Sequence, residues 1–418
     1  MREQDKLKVS AGEDLLAFIP HIVGYWPENS LVCIGMCGKS LRATMRLDLP
    51  PEGTAELDGF AAVAAAQLSS DAEADGVLLA FFAGREWNEP EHCPHGVLYC
   101  ALGEAFAEAG LPVRDAWYVG PSHWRSIECR NPSCCPWPGR SNTKITGSFV
   151  NAELVYRGSA VDGNPRDRVP GMTAVKDHRF AETVRVAAES FLAPLGQAGL
   201  AANQLGVTLG AWERALAHWP ERPNASMAAY LLASLGGAPV RDAVLVSLAT
   251  TPEMALAGVL GVGQLQGDVG EPVVPSTWFG GNQCAGWDIG ILCESETAIC
   301  AAGRVYGDVL LGGSPEAGHP ACSPNWSRLD VAEELLLFLA GSITGPGKAP
   351  VLCMLGWIQW CRGRGSWAGT YFNASLEALP GYRLAQLLER LLDAGCIAAW
   401  AKDKQTAWPG YRSREEAA

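Results

Sequence analysis

The residues with the most chemistry to offer in this chain are three cysteines, Cys129, Cys134 and Cys135, grouped in the pattern Cys-x4-Cys-Cys. Thiolates are preferred structural ligands of zinc, and a turn that folds back on itself could present two or three of them to one ion. The segment around them, His123 to Gly139, contains Pro132, Pro136 and Pro138 and is too rich in proline for a helix. His123 is the nearest candidate for a fourth ligand, with His92, Cys93 and His95 as others. The spacing is not that of a paired Cys-x2-Cys site, and adjacent cysteines rarely share a metal. A redox-labile disulfide and plain reduced thiols therefore stay open beside zinc.

The same region is locally basic. Residues 121–180 hold nine Lys and Arg against five Asp and Glu, a local +4 in a chain whose 32 basic and 45 acidic residues sum to −13. Arg125, Arg130 and Arg140, interleaved with Trp124 and Trp137, suit a small anion or nucleotide through charge and stacking. The alternative is a solvated face that neutralises acidic neighbours. The overall negative charge argues against long nucleic acid and anionic lipid. Ser30 and Asp48, at the start of one expected strand and the end of the next, are the polar residues best placed for catalysis, although turn chemistry explains both.

These residues need a frame. Gly12-Glu-Asp-Leu-Leu-Ala-Phe-Ile after Ser10 reads as a capped helix. Leu31–Met36 and Leu41–Leu49 read as a hairpin about Gly38-Lys39. A helix over 55–68, a strand over 77–82, a helix over 97–109 and a strand over 112–119 follow. The alternation predicts an α/β domain with a mixed sheet over 1–160, ending in the Cys/Arg-rich loop. Residues 161–263 read as helical, with breaks at Pro194, Pro220, Pro223 and Pro239. Residues 264–328 read as a Gly-rich irregular insertion with short strands near 289–292 and 298–302.

The last stretch, 329–418, reads as all-α and TPR-like. Leu352, Leu355, Gly356, Ala368, Phe372 and Pro380 stand at tetratricopeptide offsets, with Gln359 in place of the usual aromatic. A helical hairpin, a following helix and a loose charged tail are expected, and the helices offer a surface for a protein partner.

Several segments together resemble a mainly actinobacterial family, domain of unknown function 4192. They are Pro20-His-Ile-Val-Gly-Tyr-Trp-Pro-Glu-Asn-Ser-Leu-Val32, Arg46-Leu-Asp-Leu-Pro50, Trp124-Arg-Ser with Cys129, Cys134-Cys-Pro136, Gly139, and the region from Val351 through Pro380-Gly-Tyr-Arg-Leu-Ala385. The resemblance supports the architecture and supplies no chemistry; the 264–325 stretch departs from it.

Motifs for the common chemistries are absent. Gly341-Ser-Ile-Thr-Gly-Pro-Gly-Lys348 does not match the phosphate-loop spacing, and Ala349 replaces the hydroxyl that would hold magnesium. Gly261-Val-Gly263 misses the third dinucleotide glycine by one position. There is no Gly-x-Ser-x-Gly elbow and no His-Glu-x-x-His helix. No apolar run reaches the length of a membrane span, and the charged first residues lack a signal-peptide core. A cytoplasmic, non-enzymatic interaction or regulatory module is the expectation. A small-anion or nucleotide-binding sensor or enzyme using the basic loop with Ser30 and Asp48 is the alternative.

Overall fold

The computed structural model describes residues 9, 11–159, 161–275, 295–313, 323–403 and 405–410. The chain divides into two compact units, Met1–Asn164 and Pro165–Ala418.

In the first unit, strand β1 (Ser30–Cys37) pairs antiparallel with β2 (Ser40–Asp48) on one side and β3 (Gly76–Phe82) on the other. Helix α3 (Gly96–Glu108) then returns the chain to β4 (Val113–Val119), which lies parallel to β3. The short strands β5 (His123–Ser126) and β6 (Arg140–Ser141) continue the sheet antiparallel. The order is β2-β1-β3-β4-β5-β6, the mixed sheet that the alternation of elements implies.

Successive residues of a strand face opposite sides, so a strand covered on both sides is apolar without interruption. That is the case for β1. Leu31 and Cys33 join Val77, Leu79 and Phe81 beneath α2 (Leu57–Leu68) and α3, which contribute Ala61, Leu68, Leu98, Leu102 and Phe106. Val32 and Ile34 join Ala80, Phe82 and Trp117 on the other face. There α1 (Gly12–Val23) supplies Leu15, Leu16 and Ile19, and α4 (Thr143–Thr146) supplies Ile145. The result is helix–sheet–helix layering.

The first-unit helices depart from expectation in two places. The cap of α1 is Ala11, without a side-chain bond, while Ser10 lies outside the described residues. The region after Gly139 contains α4 and α5 (Phe149–Tyr156), which its local charge obscured.

Among the described residues the second unit is mainly helical, opening with α6 (Pro165–Met172), while 264–275 lie outside any helix. After α6 come α7 (His178–Ala198), α8 (Ala202–His218), α9 (Ala225–Ser234), α10 (Ala238–Ala249) and α11 (Pro252–Gly261). Then follow α12 (Glu296–Leu311), α13 (Trp326–Ala340), α14 (Ala349–Cys361), α15 (Gly365–Ala378) and α16 (Arg383–Asp393). Asn224, Thr251, Ser295 and Asn325 each accept a hydrogen bond from the amide three residues on, which fixes where four of these helices start.

Residues 298–302, expected as a strand, lie in α12. A short apolar run has no period of its own, and the Ser295 cap decides the matter in favour of helix. The other expected strand, 289–292, falls outside the described residues. Pro194 lies inside α7, near its end, rather than breaking it. So close to the terminus it removes only one ladder bond before the helix stops.

The α14–α15 hairpin forms as expected. All thirteen residues of α14 are buried, so it is a central helix of one core that runs from Val169 to Trp400. Its polar residue Gln359 donates to Glu333, which also pairs with the buried Arg362 at 2.6 Å. The tail is docked as far as it is described, contrary to the loose end expected. Trp326 Nε1 donates to the Thr406 carbonyl at 3.1 Å, and Arg362 stacks on Trp408 at 4.7 Å from the ring centroid.

Gly356 lets α14 and α15 approach closely in the hairpin. A Cβ there would lie 2.6 Å from Phe372 Cδ1 and 3.1 Å from the Ala368 carbonyl. Gly356→Ala is expected to destabilise the helical unit by about 1–3 kcal/mol through overpacking, read as a lowered midpoint in urea. An unchanged midpoint would show that the helices have room to separate.

Candidate metal centre

The loop between β5 and β6 carries the cysteines. Its fold follows from Asn131, whose side chain accepts from the Ser133 amide at 2.9 Å. The Asn131 carbonyl accepts from the amides of Cys134 and Cys135 at 3.1 and 2.7 Å. This local turn, of the kind asparagine favours, brings the adjacent cysteines back over Cys129. The three sulfurs lie within 4.8 Å of one another.

Their protonation differs. The Asn131 amide and the Cys135 and Cys134 thiols donate to the Cys129 sulfur and hold it below the ordinary thiol range. Burial pushes Cys135 up to about 11. Cys129 therefore ionises more readily than Cys135.

Beside the thiols lies a buried cation. The guanidinium of Arg125 sits 4.8 Å from the Trp87 ring centroid and 5.0 Å from that of Trp137, and the residue is 8% exposed. Its hydrogen bond, from Nη2 to the Cys129 carbonyl, is long at 3.5 Å, and its Nε has no partner. Among the described residues no carboxylate pairs with it. Stacking on indoles recovers part of the lost hydration, but a guanidinium this buried favours a nearby negative charge.

Arg140 has such a charge. Its Nε donates to the Cys134 carbonyl at 3.0 Å, while Nη1 lies 3.2 Å from Glu13 and the guanidinium caps the Trp124 ring at 5.6 Å. Trp124 itself belongs to the sheet core. Arg130 is exposed.

The other residues singled out in the sequence are elsewhere. His123 Nδ1 lies 3.5 Å from Glu86, and His92 lies 3.4 Å from Glu89. Cys93 faces the Pro94 carbonyl at 3.4 Å, and burial pushes its thiol up to about 11. The His95 amide donates to Glu52, and its ring stacks on Phe81. Among the described residues, the cluster consists of the three cysteines without a histidine.

Ser30 and Asp48 are opposite one another in the β1–β2 register. The Ser30 hydroxyl is fully buried, donating to the Glu28 carbonyl at 2.7 Å and accepting from Arg46 Nε at 2.8 Å. Asp48 pairs with the same Arg46 at 2.7 Å. The pair ties the β2 edge to the sheet.

Two contributors were not apparent in the sequence. Trp87 comes from the β3–α3 connection and Glu13 from α1, both far from the loop in the chain. Nothing in the spacing of either residue points to the thiols.

An α/β/α domain with a thiol-bearing loop at one end of a mixed sheet is the class that fold and site define. A family model described as "Domain of unknown function (DUF4192)" matches residues 13–258 and 326–397, and the chain belongs to that family. The match leaves out 259–325, which contains most of the Gly-rich stretch read as an insertion. No curated protein and no solved structure matches the chain.

Gly139 ends the loop at a φ of +152°, and a Cβ there would lie 2.7 Å from the Trp124 carbonyl. Gly139→Ala is expected to push β6 from β5 and loosen the loop. Alkylation of the buried Cys135 should then speed up by about tenfold or more, the effect of destabilising the closed loop by about 1.4 kcal/mol or more. Unchanged alkylation in the folded variant would show that the loop's closure does not depend on this contact.

Proposed function

We propose that the first unit binds one thiophilic metal ion, zinc being the reference case, through Cys129, Cys134 and Cys135. In this reading the ion fastens the loop to the sheet in a non-enzymatic, regulatory role. The observation that carries it is the convergence of three sulfurs within 4.8 Å. Binding would turn three thiols into thiolates, leaving a zinc–trithiolate with one net negative charge beside Arg125, which has no carboxylate partner among the described residues. The cation and the cluster would each supply what the other lacks.

Magnitude also favours a metal over a disulfide. A structural zinc contributes on the order of 10–16 kcal/mol in small domains, against about 2–4 kcal/mol for a disulfide. Three protein ligands leave a fourth position for water or for a donor from a binding partner.

The small-anion alternative has less support. Arg125 is enclosed by indoles and Arg140 is paired with Glu13, which leaves Arg130 as the exposed cation of the three. For the helical unit, a protein partner would meet α15 and α16 rather than α14, which is buried along its length. Leu387 on α16 is 49% exposed.

Titration of the reduced chain with zinc is expected to saturate at one ion, with Cys129→Ser and Cys134→Ser each weakening binding by about 100-fold or more. Cys135 gives up a proton that burial holds to about pH 11, so protons are released on binding. Affinity should fall as pH falls, by about tenfold or more per unit between pH 8 and pH 6. No binding, or equal binding by wild type and both variants, would contradict the proposal.

A further inference from the structure

A second polar cluster lies on the α1 side of the sheet, away from the thiol loop. His21, in the last turn of α1, has Nδ1 2.9 Å from Ser159 Oγ and Nε2 2.9 Å from Asn151 Oδ1. Asn151 sits on α5, and its Nδ2 donates to the Thr146 carbonyl at 2.7 Å. That bond turns Oδ1, which can only accept, toward the imidazole. Nε2 therefore carries the ring proton, and Nδ1 presents its lone pair to the Ser159 hydroxyl.

This is the order a nucleophile needs: a hydroxyl, a base in hydrogen-bond contact, and a third group that fixes the tautomer of the base. His21 and Ser159 are half-buried, so solvent reaches both. Each of the two helices also exposes an apolar side chain close by in sequence. Ile22 follows His21 and is 51% exposed, and Val155, one turn along α5 from Asn151, is 57% exposed.

We infer that Ser159 is a nucleophile for acyl transfer from uncharged esters with an apolar acyl group, with His21 as its general base and Asn151 as a positioning residue. In the first half-reaction Ser159 Oγ bonds to the ester carbonyl carbon and its proton passes to His21 Nδ1. The bond to the leaving alkoxide then breaks as that proton is transferred to it. In the second half-reaction water attacks the acyl-serine, with His21 taking a proton from the water. Release of the carboxylic acid returns the proton to Ser159. The inference is independent of the metal site.

The test treats the full reduced chain with an alkyl fluorophosphonate. Ser159 Oγ displaces fluoride from phosphorus and the hydroxyl proton goes to His21. A covalent adduct on Ser159, located by peptide mass spectrometry, is expected. His21→Gln should slow its formation by about 100-fold or more without changing the melting midpoint. Should His21→Gln fail to fold, Asn151→Ala provides the second test. Loss of the Oδ1 acceptor should slow labelling, and Asn151→Asp, which restores an acceptor oxygen to His21 Nε2, should recover it. No adduct on Ser159, or an adduct that forms at the same rate in the folded variants, would overturn the inference.

Discussion

Strands β1 and β3 are apolar on both faces, and the first unit is arranged around covering them. One face takes α2 and α3, and the other takes α1 and α4. Because α3 must cross the sheet to reach β4, the connection leading into it runs past the end of the strands and delivers Trp87 there. The chain leaving β4 turns back as β5 and delivers Arg125 to the same place. The thiol loop is thus anchored on strands whose positions are fixed by burial of their neighbours. Its geometry is inherited from the hydrophobic layering.

Within that frame, electrostatics distinguishes the loop from an ordinary connection. Among the described residues no carboxylate pairs with Arg125, which is buried against two indoles, while the sulfurs beside it are poised unequally, Cys129 toward thiolate and Cys135 toward thiol. Such a cation and a set of thiols that would gain negative charge on metal binding are complementary. Arg140 repeats the theme one step out, joining the Cys134 carbonyl to Glu13 at the start of α1. A bound ion would therefore be linked to both the sheet and a helix of the core.

Much of the fold was legible because period and punctuation agree. The β1–β2 hairpin follows from an apolar run and an alternating one about Gly38, and most described helices of the second unit begin where polar caps or prolines stand. The errors arose where a local signal was ambiguous. Residues 298–302 form a short apolar run compatible with strand or helix, and only the Ser295 cap distinguishes them. The tail was expected to be loose on account of its charge, yet Thr406 and Trp408 find partners on α13 and at Arg362 after α14.

The candidate site was legible in part for a similar reason. The cysteine cluster is local, so spacing alone reveals it. Its aromatic cage is not local, and neither is the His21–Asn151–Ser159 chain, whose members are brought together by α1 packing on α5. Ser30, by contrast, stood out in the sequence and proves to be buried and hydrogen-bonded within the sheet edge.

The central claim is that three sulfurs converge on one ion. Zinc K-edge X-ray absorption of the metal-loaded chain tests it most directly. The account predicts three sulfurs at about 2.3 Å and one lighter atom at about 2.0–2.1 Å. A shell of nitrogen and oxygen alone, or one with fewer than three sulfurs, would contradict it.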